Sequence, residues 1–188
     1  ENPDAKHDIH ELKVELLGQQ MTFLTDAGVF SKKMIDYGSR VLLSALEFNK
    51  KETLLDVGCG YGTLGLTLAK AQELEVTLVD INQRALDLAR KNADANQVSA
   101  DIFQSNVYEQ VTGQFHHIIS NPPIRAGKQV VHEVISGSYA HLLADGDLTI
   151  VIQKKQGAPS AKAKMEEVFG NCETLKKDKG YYILRSVK

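Results

Sequence analysis

The stretch Asp56-Val57-Gly58-Cys59-Gly60-Tyr61-Gly62-Thr63-Leu64-Gly65 limits the possible folds of this chain more than any other. It continues the short apolar run Thr53–Val57 and leads into residues 63–71, whose apolar positions recur at helical spacing. Glycines permit positive φ and let backbone approach a ligand that a Cβ would repel. A strand, a glycine turn and a helix in succession therefore predict a ligand-binding βα unit. The pattern then repeats. Glu75–Asp80 reads as a second strand, Asn82 as an N-cap, and Gln83–Ala95 as a helix with the apolar stripe Ala85, Leu86, Leu88, Ala89 and Ala93. Further strands are expected at Ala100–Gln104, Phe115–Ser120, 147–153, 172–176 and Tyr181–Val187, with helices at 128–143 and Ala158–Phe169. This alternation predicts an α/β, doubly wound, mainly parallel seven-stranded sheet. Its last two strands form an antiparallel edge hairpin through the turn Lys177-Asp178-Lys179-Gly180.

The first 50 residues read differently. Residues 10–16 alternate like an exposed strand, 19–25 return beside it, and 36–46 look helical. Alone they hold too little apolar surface for a domain, so 1–50 are expected to cap or extend the domain formed by 51–188. The chain of 188 residues, 43% apolar, suits one core better than two. Cys59 and Cys172 stand far apart without companions at metal-ligand spacing, and His116, His117, His132 and His141 make no such pattern, so no metal is expected. The start Glu1-Asn2-Pro3-Asp4 lacks the layout of a secretion signal, and no apolar run approaches ~18 residues, so a soluble cytoplasmic protein without membrane contact is expected. The net charge of −2 advertises no global field for nucleic acid. From Thr149 onward, however, nine Lys and Arg face four Asp and Glu.

The loop alone admits two kinds of ligand. Gly60-Tyr61-Gly62-Thr63-Leu64-Gly65 satisfies the dinucleotide pattern, and Asp80 lies about twenty residues on, where an acid holds a ribose. Asp56 and Gly58 argue against a dinucleotide. A carboxylate at the loop entrance attracts a cation and does nothing for a pyrophosphate, and the glycines begin early, as Asp-x-Gly-x-Gly-x-Gly. That pattern resembles the class I S-adenosylmethionine-dependent methyltransferases over residues 51–188. The resemblance implies S-adenosyl-L-methionine as cofactor, with Asp56, Gly58, Cys59, Gly60 and Gly62 at its methionine and ribose parts. It also implies Asp80 on the ribose hydroxyls, Ile81 on the adenine face, and Ser105, Asn106 and Val107 near the adenine amine. The structural alternative for Asp80 is a helix-capping carboxylate beside Asn82, and for Ser105-Asn106 an ordinary turn.

The fourth strand of the regular region ends in Ser120-Asn121-Pro122-Pro123-Ile124. Two prolines stiffen the loop, so the Asn121 side chain and the Pro122 carbonyl become a fixed pair of acceptors. An exocyclic amine is a poor nucleophile because its lone pair is delocalised into the ring. Accepting a hydrogen bond from each N–H frees that lone pair and stabilises the positive charge that grows as methyl arrives. Together the two motifs resemble amino-group methyltransferases, implying catalytic roles for Asn121, Pro122 and Pro123, with Ile124 covering one face of the target. Adenine and glutamine enzymes commonly carry Tyr or Phe where Ile124 stands.

The flanks are more specific. Gly28-Val29-Phe30-Ser31 with Asp36 and Gly38, then Ser120 through Lys128, resemble the catalytic half of the ribosomal RNA small subunit methyltransferase C family. The resemblance implies methylation of guanosine N2 in RNA, in or near the small ribosomal subunit, with Phe30 and Ser31 beside the cofactor. Arg125, Lys128, Lys154 and Lys155 follow the fourth and fifth of these strands and are expected on the same rim, where they can grip RNA phosphates. Methylation of adenine N6 or a protein glutamine, and a non-catalytic nucleotide-binding module, remain alternatives at this level.

Overall fold

The computed structural model describes residues 8–26 and 35–188. Its first two strands, β1 (Ile9–Leu16) and β2 (Gln19–Asp26), turn back on each other through Leu17 and Gly18, both at positive φ, and form a sheet of their own. A helix, α1 (Tyr37–Ala45), starts at Asp36, whose carboxylate accepts the Ser39 N–H as an N-cap. The chain then alternates: β3 (Thr53–Val57), α2 (Thr63–Gln72), β4 (Glu75–Asp80), α3 (Gln83–Ala95), β5 (Ala100–Gln104), β6 (Phe115–Ser120), α4 (Gly127–Ser138), β7 (Leu142–Gln153), α5 (Ala158–Phe169), β8 (Glu173–Asp178) and β9 (Tyr181–Val187).

The large sheet has the order β5-β4-β3-β6-β7-β9-β8. Strands β3 to β7 run parallel, and β9 pairs antiparallel with both β7 and β8. Side chains alternate across it. Leu54 joins the layer of Leu42, Leu66, Leu78, Leu86 and Ile183 beneath α1, α2 and α3, whereas Leu55 joins Ile118, Ile135, Ile150 and Met165 beneath α4 and α5. Strand order reverses between β3 and β6, which opens a crevice at their carboxyl ends.

Two expected boundaries shift. The helix expected over 128–143 stops at Ser138, and a 3-10 turn leads into β7 from Leu142. Leu142 is fully buried opposite Phe115, so an apolar residue that continues the helical rhythm belongs to a strand. The strand expected at 172–176 runs from Glu173 to Asp178, and the turn narrows to Lys179-Gly180, both at positive φ. Among the described residues of the amino-terminal region, α1 lies on the large sheet and β2 packs on α2 and α3. Asn92 and Asn96 of α3 pair with the free border of β2. Each amide accepts one backbone N–H and donates to the carbonyl of the same residue, at Leu24 and Thr22 respectively. The buried Arg84–Asp26 ion pair, at 2.8 Å, adds a further tie.

Candidate active site

A cavity of about 550 Å³ lies at the strand ends of the crevice, within the usual range for ligand pockets. Its floor is the glycine loop. The Gly58 and Cys59 N–H groups both donate to the Val79 carbonyl at 2.9 Å, which staples the turn to β4. Gly58 and Gly60 have φ of 75° and 57°, and a Cβ on either would meet nothing within 4 Å, so the space above them belongs to the cavity. Asp80 organises the next wall. Its Oδ2 accepts the Gly60 N–H at 2.8 Å and its Oδ1 accepts the Asn82 N–H at 2.9 Å, which fixes a carboxylate with spare lone pairs on the cavity rim. Ile81 follows it and is 63% exposed, an apolar face turned to the opening.

Asp56 needs correction. It is fully buried behind the loop and does not line the cavity; its Oδ2 accepts the Gly65 N–H at 3.2 Å and its Oδ1 has no hydrogen-bond partner. Burial, reinforced by the Asp80 charge and opposed by the Gly65 N–H, pushes its pKa up to about 7. It lies beneath the loop, out of reach of direct contact with a cationic ligand in the cavity. Cys59 is also buried, and burial pushes its thiol well above the ordinary value, so it is wall rather than nucleophile. Ser105 is likewise committed locally: its hydroxyl donates to the Val107 carbonyl and accepts the Gln110 N–H, shaping a turn with Val107 at φ 54°. Asn106, with an exposed side chain, and Val107 complete that wall. Phe30 and Ser31, with Gly28 and Val29, lie outside the described residues, as does the side chain of Ile124.

The end of β6 is held from two sides. Ser120 donates its hydroxyl to the Val57 carbonyl at 2.7 Å, fixing β6 to β3. The Asn121 amide nitrogen donates to Asp36 Oδ2 at 2.8 Å and to Ser39 Oγ at 3.0 Å. A carboxylate only accepts, so these contacts dictate which way the amide points and leave its Oδ1 as the free acceptor. Asn121, Asp36, Pro122 and Pro123 separate the large cavity from a second of about 130 Å³, which Lys128, Gln153, Gln156 and Tyr181 also line. Several liquid-water volumes of ~30 Å³ fit there, enough for a ring and too little for a nucleotide chain. The Pro123 carbonyl is taken by the Ala126 N–H at 2.9 Å.

Asp36 and Ser39 reach this site from a segment that reads as helical and carries part of the family resemblance, without marking either residue for a role at the site. Of the four basic residues expected near it, Lys128 lines the small cavity, while Arg125, Lys154 and Lys155 are exposed and line neither. The four histidines make structural contacts elsewhere: His116 with Thr53, His117 with Asp147 and Glu52, His132 with Ser160, and His141 with the Gly113 carbonyl. Among the described residues no His, Cys, Asp or Glu cluster is arranged to hold a metal ion.

Residues 20–185 match the family model described as methyltransferase small domain. The chain belongs to that family. A Bacillus subtilis (strain 168) protein named YbxB and described as uncharacterized is 45% identical over 193 residues, covering 100% of this chain and 96% of its own length. Ribosomal RNA small subunit methyltransferase C of Erwinia tasmaniensis is 37% identical over 174 residues, covering 90% of this chain and 50% of its own. A solved structure, the T. thermophilus 16S rRNA N2 G1207 methyltransferase in complex with AdoMet and guanosine, superposes with a TM-score of 0.89 at 29% identity, covering 100% of this chain and 52% of that one. This chain thus spans about half the length of the two named ribosomal RNA methyltransferases. As a member of the methyltransferase small domain family, it has the class I methyltransferase fold and is an S-adenosyl-L-methionine-dependent methyltransferase. The open glycine floor, the Asp80 rim and the exposed Ile81 face fit that cofactor. No helix among the described residues is long and apolar enough to cross a membrane.

Proposed function

We propose that this protein methylates the exocyclic N2 amine of a guanosine in RNA, in or near the small ribosomal subunit and in the cytoplasm. One observation carries the reading: the Asn121 amide oxygen is oriented by Asp36 and Ser39 at the partition between two cavities, one ligand-sized and one ring-sized. Bound in the large cavity, S-adenosylmethionine supplies an electrophilic methyl on its sulfonium. Gly58, Gly60 and Asp80 hold its methionine and ribose parts, Ile81 covers its adenine, and Ser105, Asn106 and Val107 close the adenine wall. Phe30 and Ser31 are read as further contacts on the cofactor side.

The target base enters the small cavity. Asn121 Oδ1 and the Pro122 carbonyl accept its two N–H bonds, draw the nitrogen out of conjugation and stabilise the charge that develops on it. Pro123 stiffens the pair, and Ile124 covers the base. The alkylated nitrogen is acidic and releases its proton to water. A base inside a helix cannot reach this depth, so the acceptor is unpaired or flipped out. Lys128 at the small cavity, with Arg125, Lys154 and Lys155 nearby in the chain, grips phosphates. We read residues 1–50 as an extension of the catalytic domain formed by 51–188, since Asp36 and Ser39 complete its site. The T. thermophilus relative, a 16S rRNA N2 G1207 methyltransferase, supports guanine as the target, and the Erwinia tasmaniensis relative supports small-subunit ribosomal RNA.

Mass analysis of nucleosides and peptides after incubation with labelled S-adenosylmethionine tests the proposal. Label is expected in N2-methylguanosine; label in methyladenosine or methylglutamine overturns it.

A further inference from the structure

Asp36 carries a group that the methyl transfer itself leaves idle. Its Oδ2 accepts the Asn121 amide and the Ser39 N–H, while its Oδ1 receives no hydrogen bond from the described residues. Asp36 lines both cavities, so an acceptor that offers no proton stands beside the acceptor that meets the amine.

That juxtaposition discriminates among amines by the atom next to them. In adenine and cytosine the ring nitrogen beside the exocyclic amine is a bare acceptor. In a glutamine side chain the neighbouring group is a carbonyl. Each turns a lone pair towards the carboxylate, leaving two acceptors opposed. Guanine alone among these places a donor, N1–H, beside its amine.

We infer that Asp36 reads guanine, accepting N1–H on Oδ1 while its Oδ2 holds Asn121 against the adjacent N2 amine. The inference rests on the nucleobase-amine reading above. One carboxylate thereby serves two ends: it orients the group that activates the amine and checks the atom that identifies the base. Sites built to hydrogen-bond a substrate donor reject analogues lacking it by about 10⁴–10⁵-fold. Asp36 is only half-buried, so the expected factor here is lower, about a hundredfold.

The test compares kcat/KM for methyl transfer to two oligoribonucleotides, one with a single guanosine and one with 2-aminopurine riboside in its place. The analogue keeps the amine, replaces N1–H by a bare nitrogen and loses the 6-oxo group, so the change in preference between wild type and Asp36→Asn isolates the N1 contact. The wild-type protein is expected to favour guanosine by about a hundredfold. Asp36→Asn can turn an NH₂ towards the bare nitrogen, and the preference is expected to fall by at least about tenfold. Ser39→Ala removes the other Asn121 contact and keeps the carboxylate; it is expected to slow both substrates equally and leave the preference at its wild-type value. Calorimetry with S-adenosylmethionine should give near-wild-type affinity for both variants. An unchanged preference in Asp36→Asn overturns the inference. So does a wild-type preference near one, which needs no variant and remains decisive if Asp36→Asn fails to fold. Methylation of adenosine or glutamine instead of guanosine removes the underlying reading, an outcome distinct from guanosine methylation without Asp36 control.

Discussion

The two ends of β6 hold polar side chains under different rules. At the amino end, His117 is 12% exposed and both ring nitrogens face carboxylates, Asp147 at 2.6 Å and Glu52 at 3.0 Å. Asp147 also accepts from Arg185 at 2.8 Å, and Phe48 stacks on the imidazole with centroids 3.7 Å apart. Neither ring nitrogen is left unanswered. At the carboxyl end, Asn121 is answered on its nitrogen alone among the described residues, and the residue lines two cavities. Complete pairing makes a strut; pairing withheld beside a void makes a site.

The strut carries the largest expected effect. Asp147→Ala leaves His117 and Arg185 without their shared partner and is expected to destabilise the fold by about 3–5 kcal/mol, read from urea unfolding, while the folded fraction keeps its turnover. A variant that unfolds at the wild-type midpoint would show the cluster to be decoration. Asn121→Ala should do the reverse. Turnover is expected to fall at least a hundredfold, equivalent to about 2.7–4 kcal/mol of transition-state stabilisation, with cofactor affinity and unfolding midpoint preserved. Equal losses of affinity and turnover would assign Asn121 to the fold.

Smaller effects sharpen the contrast. Gly60→Ala forces a side chain to φ 57°, at a cost of about 1–2 kcal/mol, and places a methyl in the space kept for the cofactor. Calorimetry should show weakened S-adenosylmethionine binding, and full affinity would mean that the floor is not a contact surface. The gentlest probe is pH. Burial lowers the His117 pKa, but the hydrogen bonds and charges of Asp147 and Glu52 outweigh it and hold the imidazole above its ordinary value of 6.5. Its stabilisation is therefore fully present below 6.5 and fades as pH rises through the raised value in the folded protein. Unfolding midpoints should drop over that range in wild type and stay flatter in His117→Gln.

Spacing in the sequence marked the fold, and the glycines marked the turn that floors the large cavity, because both are local properties. Sequence reading reached Asn121 through the two prolines that follow it. It misplaced Asp56, since adjacency to a loop does not say on which side of the backbone a side chain falls; here the side chain lies beneath the loop and bonds Gly65 of α2. The reach of Asp36 and Ser39 to Asn121 spans more than eighty residues and emerges only when α1 is laid on the sheet. The local sequence marks Asp36 as the start of a helix, and the structure gives the same carboxylate a second partner. The His117 cluster escaped for a similar reason: His117, Asp147, Glu52 and Arg185 come from separate segments, and no motif joins them.

The amides of Asn92 and Asn96 imitate a neighbouring strand along β2. They occupy the backbone groups of Thr22 and Leu24 on that flank of the small sheet, which keeps those groups from pairing with another chain as it fastens the hairpin to its helix. Shortening either side chain would leave an N–H and a carbonyl of β2 open to a second copy of the chain.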